Sequence, residues 1–408
     1  MKGLRRQSRR SKRGEARRVH RRVRRTGDAV LQWVAPLAVL VVTLGWAPAA
    51  RAADEIRVAV VEDARAVEVG GGPMLVSDPA GRPLTDDTPT WLRVVPQSGG
   101  VEVRSQGAAG VRIQRATSVR LTPVSGGGLR LNGRDYPGAI EVARNADGLV
   151  AINEVPLEEY LAGAVKAEAG DRMPLEMLKA QAIVARTYAA YQRQLSAAKL
   201  YHIVASTAHQ QYVGRVAADS PVWTAVRQTQ GQVLLWQGNL FPAFYHTDSG
   251  GHTEDPRVVF AASNMPALRP VRVEFPSASP YHRWRLDMPL ADLGAQLLKG
   301  GISVGRVVGL EVLERSTSLR VSQIAIRGIT GRVVLRGNDL RRLLGYDTLK
   351  STLFAVTVVG RVARFVGRGY GHGVGLDQWS AKTMAELGYT AEQIVEYYYP
   401  GAMPSRLR

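Results

Sequence analysis

Glu168 is the carboxylate whose place in the sequence best suits acid–base chemistry. Apolar residues recur at helical spacing from Pro156 to Val165, and the same stripe, extended by three residues, leads to Glu168. The pair Gly170-Asp171 then breaks the helix. A carboxylate at the end of an apolar stripe should be partly desolvated, which raises its pKa and favours the protonated form that a general acid needs. Periodicity alone leaves open a second interpretation, in which Glu168 extends into solvent.

A second helix should restart at Pro174 and pack closely against its neighbours. Its apolar stripe is narrow and consists mainly of alanine, at Leu178, Ala182, Ala185 and Ala189. Lys179 and Arg186 are seven residues apart, so they lie on one face of this helix. That basic face either reaches a ligand or forms salt bridges on the helix surface, and the sequence leaves both interpretations open.

The run Gly367–Gly375, with the sequence GRGYGHGVG, has glycine at every second position. In an extended strand this spacing leaves one face without side chains, so another group can approach the backbone closely. Tyr370 and His372 would project from the opposite face. The run fits neither the dinucleotide-binding pattern G-x-G-x-x-G nor a Walker A loop. A structural glycine-rich turn is the alternative to a binding role.

The stretch Phe244–Glu254 contains His246 and His252, six residues apart, together with acidic residues and Ser249. Hydrolytic zinc sites usually need a third ligand and often a helical H-x-x-x-H spacing, and neither is evident. Ser249 lacks the G-x-S-x-G context of a nucleophile elbow. The sequence therefore predicts neither a metal site nor a serine triad in this stretch.

The N-terminal segment has the pattern of an export signal. Residues 1–27 hold 13 of the 54 basic residues and a single acid, and an almost uncharged apolar run follows from Val30 to Trp46. The small-residue sequence Ala50-Arg51-Ala52 completes the pattern of a secretory signal. We expect residues from about 53 onward to lie beyond the inner membrane, in the periplasm or cell envelope. An uncleaved membrane anchor formed by the same segment is the alternative.

The remaining composition excludes several classes of protein. Outside residues 1–27 the chain has 41 basic and 34 acidic residues, a net charge of +7, which argues against a nucleic-acid partner. The chain has no cysteine, so thiolate zinc sites and cysteine nucleophiles are excluded. A hydrophobic content of 45% over 408 residues is sufficient for a substantial core without disulfides. No cofactor is predicted.

The coarse pattern predicts an α+β fold. Residues 54–155 alternate apolar and polar positions and read as β-rich, with a loop over 71–90 and three strands over 129–155 that lead into the first helix. The range 264–300 should be loop-rich with one helix, Pro289–Lys299. Strands return over 303–366 with a small helix that Asn338 could cap, and one or two helices end the chain.

Three blocks, in this order, resemble the SpoIID/LytB family of cell-wall proteins (stage II sporulation protein D and LytB). They are VPLEEYLAGAVKAEAGDRMPLEMLKAQAIVARTYA over 155–189, YHTDSGGHTED over 245–255, and GRGYGHGVGLDQWSAKTMAELGYTAEQIVEYYYPG over 367–401. The resemblance covers about two-thirds of the chain, from residue 133 onward. It implies a SpoIID-type core of mixed strands with a helical pair that carries Glu168. We therefore divide the chain into residues 1–52 (basic n-region plus signal or anchor), 53–130 (β-rich region) and 131–408 (SpoIID/LytB-type domain).

The resemblance implies a peptidoglycan lytic transglycosylase that prefers glycan strands stripped of stem peptides. The catalytic residue of the family falls at Glu168, which would act alone as acid and base on the MurNAc–GlcNAc β-1,4 bond and leave 1,6-anhydro-MurNAc ends. A single carboxylate suffices because the C6 hydroxyl of the sugar replaces the second group of ordinary glycosidases. The substrate-binding residues that we expect around it are Lys179, Arg186, His246, Ser249, Tyr370, His372 and Gln378.

The chain departs from the family pattern at two places. Some members hold a metal with a T-H-C-Q-x-Y stretch, but residues 207–212 read TAHQQY, so no structural zinc is expected. Ala169-Gly170 replaces the usual Met-Pro after the catalytic glutamate. Other members enhance an amidase, so the alternative function is a non-catalytic, wall-binding activator of an N-acetylmuramoyl-L-alanine amidase. The expected partners are glycan strands and an amidase or other cell-wall protein, with membrane contact only through the N-terminal segment.

Overall fold

The first part of the structure consists of β-strands that alternate buried and exposed residues, as in the strands Trp91–Gln97 and Gly128–Leu131. The computed structural model describes residues 54–107, 110–207, 209–260 and 265–407. The strands before the first helix are β1 (Glu55–Ala64), β2 (Val67–Gly70), β3 (Met74–Ser77), β4 (Trp91–Gln97), β5 (Gly100–Gly107), β6 (Gly110–Ala116), β7 (Ser118–Pro123), β8 (Gly128–Leu131), β9 (Arg134–Pro137), β10 (Ala139–Arg144) and β11 (Leu149–Pro156).

These strands form two sheets that share one hydrophobic core with the helices that follow. One sheet has the order β1-β11-β10-β7-β3 and is extended beyond β1 by the short parallel strand β12 (Ile203–Val204); the other has the order β6-β5-β4-β2-β8-β9. The β-rich prediction is confirmed, with two corrections. The range 129–155 holds four strands instead of three, because the chain reverses at Asn132-Gly133, and β3 lies inside the expected loop 71–90. The predicted boundary at 130/131 falls within the β8–β9 hairpin.

The predicted helical pair is α1 (Leu157–Glu168) and α2 (Leu175–Leu195), followed by α3 (Pro221–Gln228). Pro156 ends β11 and stands directly before the first helical residue, so the sheet leads into α1 without a loop. The α1 helix ends at Glu168, and Gly170 has a positive φ of 73° that prevents its continuation. The small residues of α2, among them Ala182, Ala185 and Ala189, are buried against α1 and α3. The expected break and close packing are confirmed.

A separate lobe follows β13 (Gln232–Leu235), β14 (Tyr245–His246), α4 (Pro256–Phe260) and a 3-10 turn at Pro266–Leu268. Its elements are β15 (Arg283–Pro289), α5 (Leu290–Lys299), β16 (Val307–Arg315), β17 (Val321–Gly328), β18 (Arg332–Arg336), α6 (Gly337–Leu344), β19 (Phe354–Val359) and β20 (Val362–Arg368). Two three-stranded sheets, β15-β20-β19 and β16-β17-β18, enclose a hydrophobic cluster of their own with α5 and α6. The helix expected at Pro289–Lys299 is confirmed. Asn338 does not cap α6; its side chain donates a hydrogen bond to the carbonyl of Val259 (3.2 Å).

The C-terminal elements return to the helical pair. They are β21 (Leu376–Asp377), α7 (Gln378–Glu386), α8 (Ala391–Tyr398) and β22 (Met403–Arg406). β21 pairs in parallel with β14, and β22 pairs with β13. Buried residues of α7 and α8 share a hydrophobic cluster with α2. This return brings the glycine-rich run between β20 and β21 next to β14 and the end of α1.

The mixture of strands and helices confirms the α+β class. No helix within the described ranges is both long enough and apolar enough to cross a membrane. The predicted basic region and apolar run, residues 1–27 and Val30–Trp46, lie outside the described residues.

Candidate active site

A pocket of about 570 Å³ lies where several parts of the chain meet. Its wall contains the last residue of α1, the loop after β12, strand β14, helix α6 of the separate lobe, and the glycine-rich run that leads into α7. Five predicted site residues line this one pocket: Glu168, His246, Tyr370, His372 and Gln378. The pocket therefore collects residues from all three of the sequence blocks that carried the family resemblance.

Glu168 is held at the pocket wall by neutral hydrogen-bond donors. The backbone N–H of Gln211 donates to its Oε1 (2.7 Å), and the hydroxyl of Tyr245 donates to the same carboxyl group. Burial raises the pKa of Glu168, and these two hydrogen bonds offset only part of that effect. Its position at the C-terminal end of α1, where the helix dipole is negative, acts in the same direction as burial. Glu168 therefore does not extend freely into solvent, which was the second interpretation of its position in the sequence.

A row of buried polar groups orients the hydroxyl that faces Glu168. Tyr160 donates its hydroxyl proton to Oε1 of Gln210 (2.8 Å), and Nε2 of Gln210 donates to the hydroxyl oxygen of Tyr245 (3.2 Å). The proton of Tyr245 is therefore free to point at the carboxyl group of Glu168. Burial raises the pKa of both tyrosines far above the ordinary value, so both stay neutral donors.

The glycine-rich run is a loop of left-handed residues and not the extended strand that the sequence predicted. Gly369, Gly371, Gly373 and Gly375 all have positive φ, from 72° to 116°. The reason is close contact with the neighbouring elements. A Cβ at Gly371 would lie 2.8 Å from Cβ of His246, and one at Gly375 would lie 1.9 Å from the carbonyl oxygen of Phe244. The expected close approach to the glycine backbone is real, but the group that approaches is the protein itself.

His372 and His246 are neutral and lie side by side, with ring centroids 5.6 Å apart. Burial lowers the pKa of His372 to about 3, and it lowers the pKa of His246 well below the usual range. Nδ1 of His372 accepts a hydrogen bond from the N–H of Val374 (3.0 Å), so a proton is left on Nε2. Nδ1 of His246 faces the carbonyl of Val374 (3.1 Å), so its Nε2 is unprotonated; this buried atom has no partner within the described chain. Neither ring is suited to act as a general acid near neutral pH.

Tyr370 and Gln378 connect the loop to the two sides of the pocket. The backbone of Tyr370 pairs with Asp248 in both directions (2.8 and 2.9 Å), and its hydroxyl donates to the carboxylate of Asp347 in the separate lobe. Nε2 of Gln378, at the start of α7, lies 3.4 Å from the carbonyl of Glu168. Gln378 therefore holds the end of α1 while its side chain lines the pocket.

Ser249 is fully buried and is not among the residues that line the pocket. Its N–H donates to the carboxylate of Asp377 (2.8 Å), and its carbonyl accepts from Arg320 (2.6 Å). Burial and the neighbouring carboxylate of Asp248 raise the pKa of Asp377 to about 6. Ser249 thus belongs to a buried polar cluster that supports the loop from behind.

Lys179 and Arg186 also lie away from the pocket wall. Nζ of Lys179 pairs with Glu176 one turn earlier on α2 (2.7 Å). Arg186 is completely buried, where Nη2 and Nε contact both carboxylate oxygens of Glu158 (2.6 and 2.9 Å) and Nη1 donates to the carbonyl of Gln232 (3.1 Å). Direct contact of Arg186 with a ligand in this pocket is sterically excluded. The salt-bridge interpretation describes the observed contacts of both cations.

Of the pocket residues that sequence reasoning missed, four bear directly on the carboxyl group of Glu168 or on the charge of the pocket. Tyr245 immediately precedes the predicted His246, and Gln211 lies in the TAHQQY stretch, whose motif concerns only metal binding. Both lie next to or inside a motif. Arg341 and Asp347 come from the separate lobe, where no motif points to a site.

The comparisons with known proteins cover these same regions. Residues 145–236 match the family described as stage II sporulation protein (SpoIID), and residues 272–375 match a domain of unknown function. Stage II sporulation protein D of Bacillus subtilis is 29% identical over 307 residues, which cover 71% of this chain and 84% of that protein. An uncharacterised protein of Brachyspira hyodysenteriae is 28% identical over 277 residues, covering 67% and 73%. The amidase enhancer of Bacillus subtilis is 26% identical over 292 residues, covering 59% of this chain and 39% of that protein.

Proposed function

Because the chain belongs to the SpoIID/LytB family, we propose that it is a peptidoglycan lytic transglycosylase with Glu168 as its single acid and base. The family supports a cell-wall-related role, and the specific reaction is our proposal. The observation that carries it is the carboxyl group of Glu168, which is partly buried at a pocket wall and whose pKa is raised. We also propose export through the N-terminal segment, which would place the enzyme with its substrate in the cell envelope.

In the first step, protonated Glu168 donates its proton to the oxygen of the β-1,4 bond between MurNAc and GlcNAc. The bond from C1 of MurNAc to that oxygen breaks, and the GlcNAc hydroxyl leaves. Positive charge develops at C1 in an oxocarbenium-like transition state. The raised pKa of Glu168 favours this step because more of the enzyme carries the proton near neutral pH.

In the second step, the C6 hydroxyl of the same MurNAc attacks C1, and its proton passes to the carboxylate of Glu168. The product is 1,6-anhydro-MurNAc, no water is consumed, and Glu168 recovers its proton. An intramolecular nucleophile needs no second protein carboxylate, because the sugar itself holds the attacking group in place. The N–H of Gln211 and the hydroxyl of Tyr245 stabilise the carboxylate between the two steps.

Tyr370, His372 and Gln378 line the same pocket and would position the sugar as neutral hydrogen-bond partners or flat contact surfaces. His246 would form part of the pocket wall itself, Ser249 would support the glycine-rich loop from behind, and Lys179 and Arg186 would act only through α2. These roles are part of the proposal and can be separated from catalysis by binding measurements.

Activation of an amidase is the second candidate, since one relative of the chain is named amidase enhancer. In that case the pocket would bind glycan strands without cleaving them, and Glu168 would be a binding residue.

The test uses the purified full-length chain and its Glu168→Gln variant on glycan strands from which an amidase has removed the stem peptides. Transglycosylase activity predicts anhydro-sugar ends from the wild type alone, detected by mass spectrometry. Arg342→Gln serves as the control, because Arg342 of α6 does not line the pocket. Absence of anhydro products from all proteins, together with stimulation of an added amidase, would support the second candidate and overturn the first.

A further inference from the structure

Arg341 is a cation held in one orientation at the wall of the pocket that also contains Glu168. It comes from α6 of the separate lobe, and its side chain is mostly buried. Nε donates to the carbonyl of Leu349 (2.8 Å), Nη2 donates to the carbonyl of Tyr346 (3.2 Å), and the guanidinium lies 4.8 Å from the ring centroid of Tyr346. These contacts hold the guanidinium in one orientation, because two carbonyls and an aromatic face constrain it.

The guanidinium of Arg341 does not contact a carboxylate directly within the described parts of the chain. It forms no ion pair there, and Nη1 makes no hydrogen bond to a described residue. Nη1 is not fully enclosed by the protein, and Arg341 lines the pocket, so a ligand there can reach this N–H. Burial lowers the pKa of Arg341 to about 10, which leaves the group cationic at neutral pH. A guanidinium with a free, accessible N–H is a donor for an anionic ligand.

Asp347 offsets part of the charge of Arg341. Its carboxylate stabilises the guanidinium without an ion pair, and the hydrogen bond that it accepts from the neutral hydroxyl of Tyr370 does not remove its negative charge. Arg320, whose charge is stabilised by other carboxylates, and the neutral ring of His372 lie near the same wall. These groups leave Nη1 of Arg341 without an acceptor, and this N–H is what a ligand anion could use.

The other buried arginines of this region are different. Arg186 has the carboxylate of Glu158 at 2.6 Å. Arg320, completely buried, lies among the carboxylates of Glu254, Asp248 and Asp377, which stabilise its charge. Since an unpaired buried charge is costly, carboxylates accumulate around such groups. Arg186 contacts one directly and Arg320 has three nearby, whereas Arg341 has Asp347 nearby and makes no ion pair with it. A ligand carboxylate in the pocket can supply the direct contact that Arg341 lacks.

We propose that Arg341 binds a carboxylate of the sugar substrate and so makes the pocket selective for an acidic sugar over a neutral one. The proposal rests on the proposed glycan function. In a strand without stem peptides, each MurNAc carries a lactyl ether that ends in a free carboxylate. In a strand with stem peptides that carboxyl group is an amide, which is neutral and larger. Arg341 would then be the residue of this chain that recognises stripped strands. It belongs to the separate lobe, which lies within the range that matches a domain of unknown function.

The experiment measures binding in the Glu168→Gln background, so that cleavage does not interfere. Three ligands are compared by isothermal titration or pull-down: amidase-stripped strands, the same strands after carbodiimide coupling of methylamine to the lactyl carboxylates, and neutral chitin oligosaccharides. We expect stripped strands to bind about 10- to 100-fold more tightly than the amidated strands, the range of one hydrogen bond to a charged group.

Glu168→Gln/Arg341→Gln should lose this difference and bind both kinds of strand equally. Arg342 is the matched control, because it follows Arg341 on α6 and does not line the pocket. Glu168→Gln/Arg342→Gln should keep the full difference, which also shows that general attraction by basic residues is not its cause. Circular dichroism and thermal melting confirm that each variant is folded.

Equal binding of stripped and amidated strands by Glu168→Gln would overturn the proposal without any substitution at Arg341. A difference that survives Arg341→Gln in the same background would overturn it as well. Both results are distinct from failure of the proposed function, which is a lack of anhydro products from the wild type on stripped strands.

Discussion

Gly375→Ala tests whether the glycine-rich loop owes its shape to contact with β14. Gly375 has φ of 72°, and a Cβ there would lie 1.9 Å from the carbonyl oxygen of Phe244. That carbonyl also accepts hydrogen bonds from the hydroxyl of Tyr399 (2.6 Å) and the N–H of Leu376 (3.2 Å). The oxygen cannot move away without weakening both bonds, so the cost of an added methyl group should exceed that of backbone strain alone.

Gly360→Ala is the matched control for this substitution. Gly360 lies in the turn between β19 and β20, with φ of 62° and no atom within 4 Å of the position that an added methyl group would take. Both substitutions place alanine in the left-handed region, which costs about 1–2 kcal/mol. Gly375→Ala adds a steric overlap in a packed interior, which typically costs about 1–3 kcal/mol more. The expected losses in unfolding free energy are therefore about 1–2 kcal/mol for Gly360→Ala and roughly 2–5 kcal/mol for Gly375→Ala.

Urea unfolding followed by tryptophan fluorescence measures both losses, provided that the slopes of the two curves agree with that of the wild type. Equal losses for the two variants would refute the reasoning, because they would show that the contact with Phe244 adds nothing to the strain. A steric cost at Gly375 should also reduce binding of stripped glycan strands in the Glu168→Gln background, since the same loop carries His372 to the pocket.

Two further predictions concern charge. Glu168→Gln should raise the melting temperature relative to the wild type at about pH 8 but not below about pH 4. The pKa of Glu168 is higher in the folded protein than in the unfolded chain, where the ordinary value is 4.5. The wild type therefore loses stability as the pH rises past 4.5, and the variant does not, because it has no proton to lose at this position. An equal increase at both pH values in thermal melts would contradict the raised pKa. Arg186→Met should lower the unfolding free energy by about 3 kcal/mol, since it leaves Glu158 without its buried partner, whereas Lys179→Met should cost less than about 1 kcal/mol. Comparable losses in urea unfolding would show that burial of the Arg186 ion pair has little energetic weight.

The parts of the fold that the sequence predicts well are those set by local pattern. The end of α1 at Glu168 and the start of α2 after Pro174 follow from an apolar stripe that is broken by glycine and restarted by proline. The helix α5 (Leu290–Lys299) follows from the same kind of pattern. Each of these features depends on residues within a few turns of one another, so a sequence window contains the information.

Features that depend on distant contacts could not be predicted in this way. The glycines of the loop alternate with other residues, which is typical of a strand, but contact with Phe244 and His246 forces them into left-handed conformations. Those two residues are more than 120 positions earlier in the chain. Similarly, nothing in the local pattern of α6 shows that Arg341 lines a pocket whose other wall is the end of α1. The site was therefore predicted where a motif contained it and missed where the tertiary fold supplied it.

The placement of charge around the pocket explains how one carboxyl group could serve both steps of the proposed reaction. The hydrogen-bond donors on Glu168 are neutral, a backbone N–H and the hydroxyl of Tyr245, so they stabilise the carboxylate without the strong lowering of its pKa that an adjacent cation would cause. Arg341, a cation at the pocket wall, comes instead from the separate lobe, and its Nη1 makes no hydrogen bond to a described residue. A carboxylate on the substrate would pair with that cation and leave Glu168 as the proton donor. If the positions were exchanged, with Arg341 beside Glu168, the acid would be ionised before the substrate arrived.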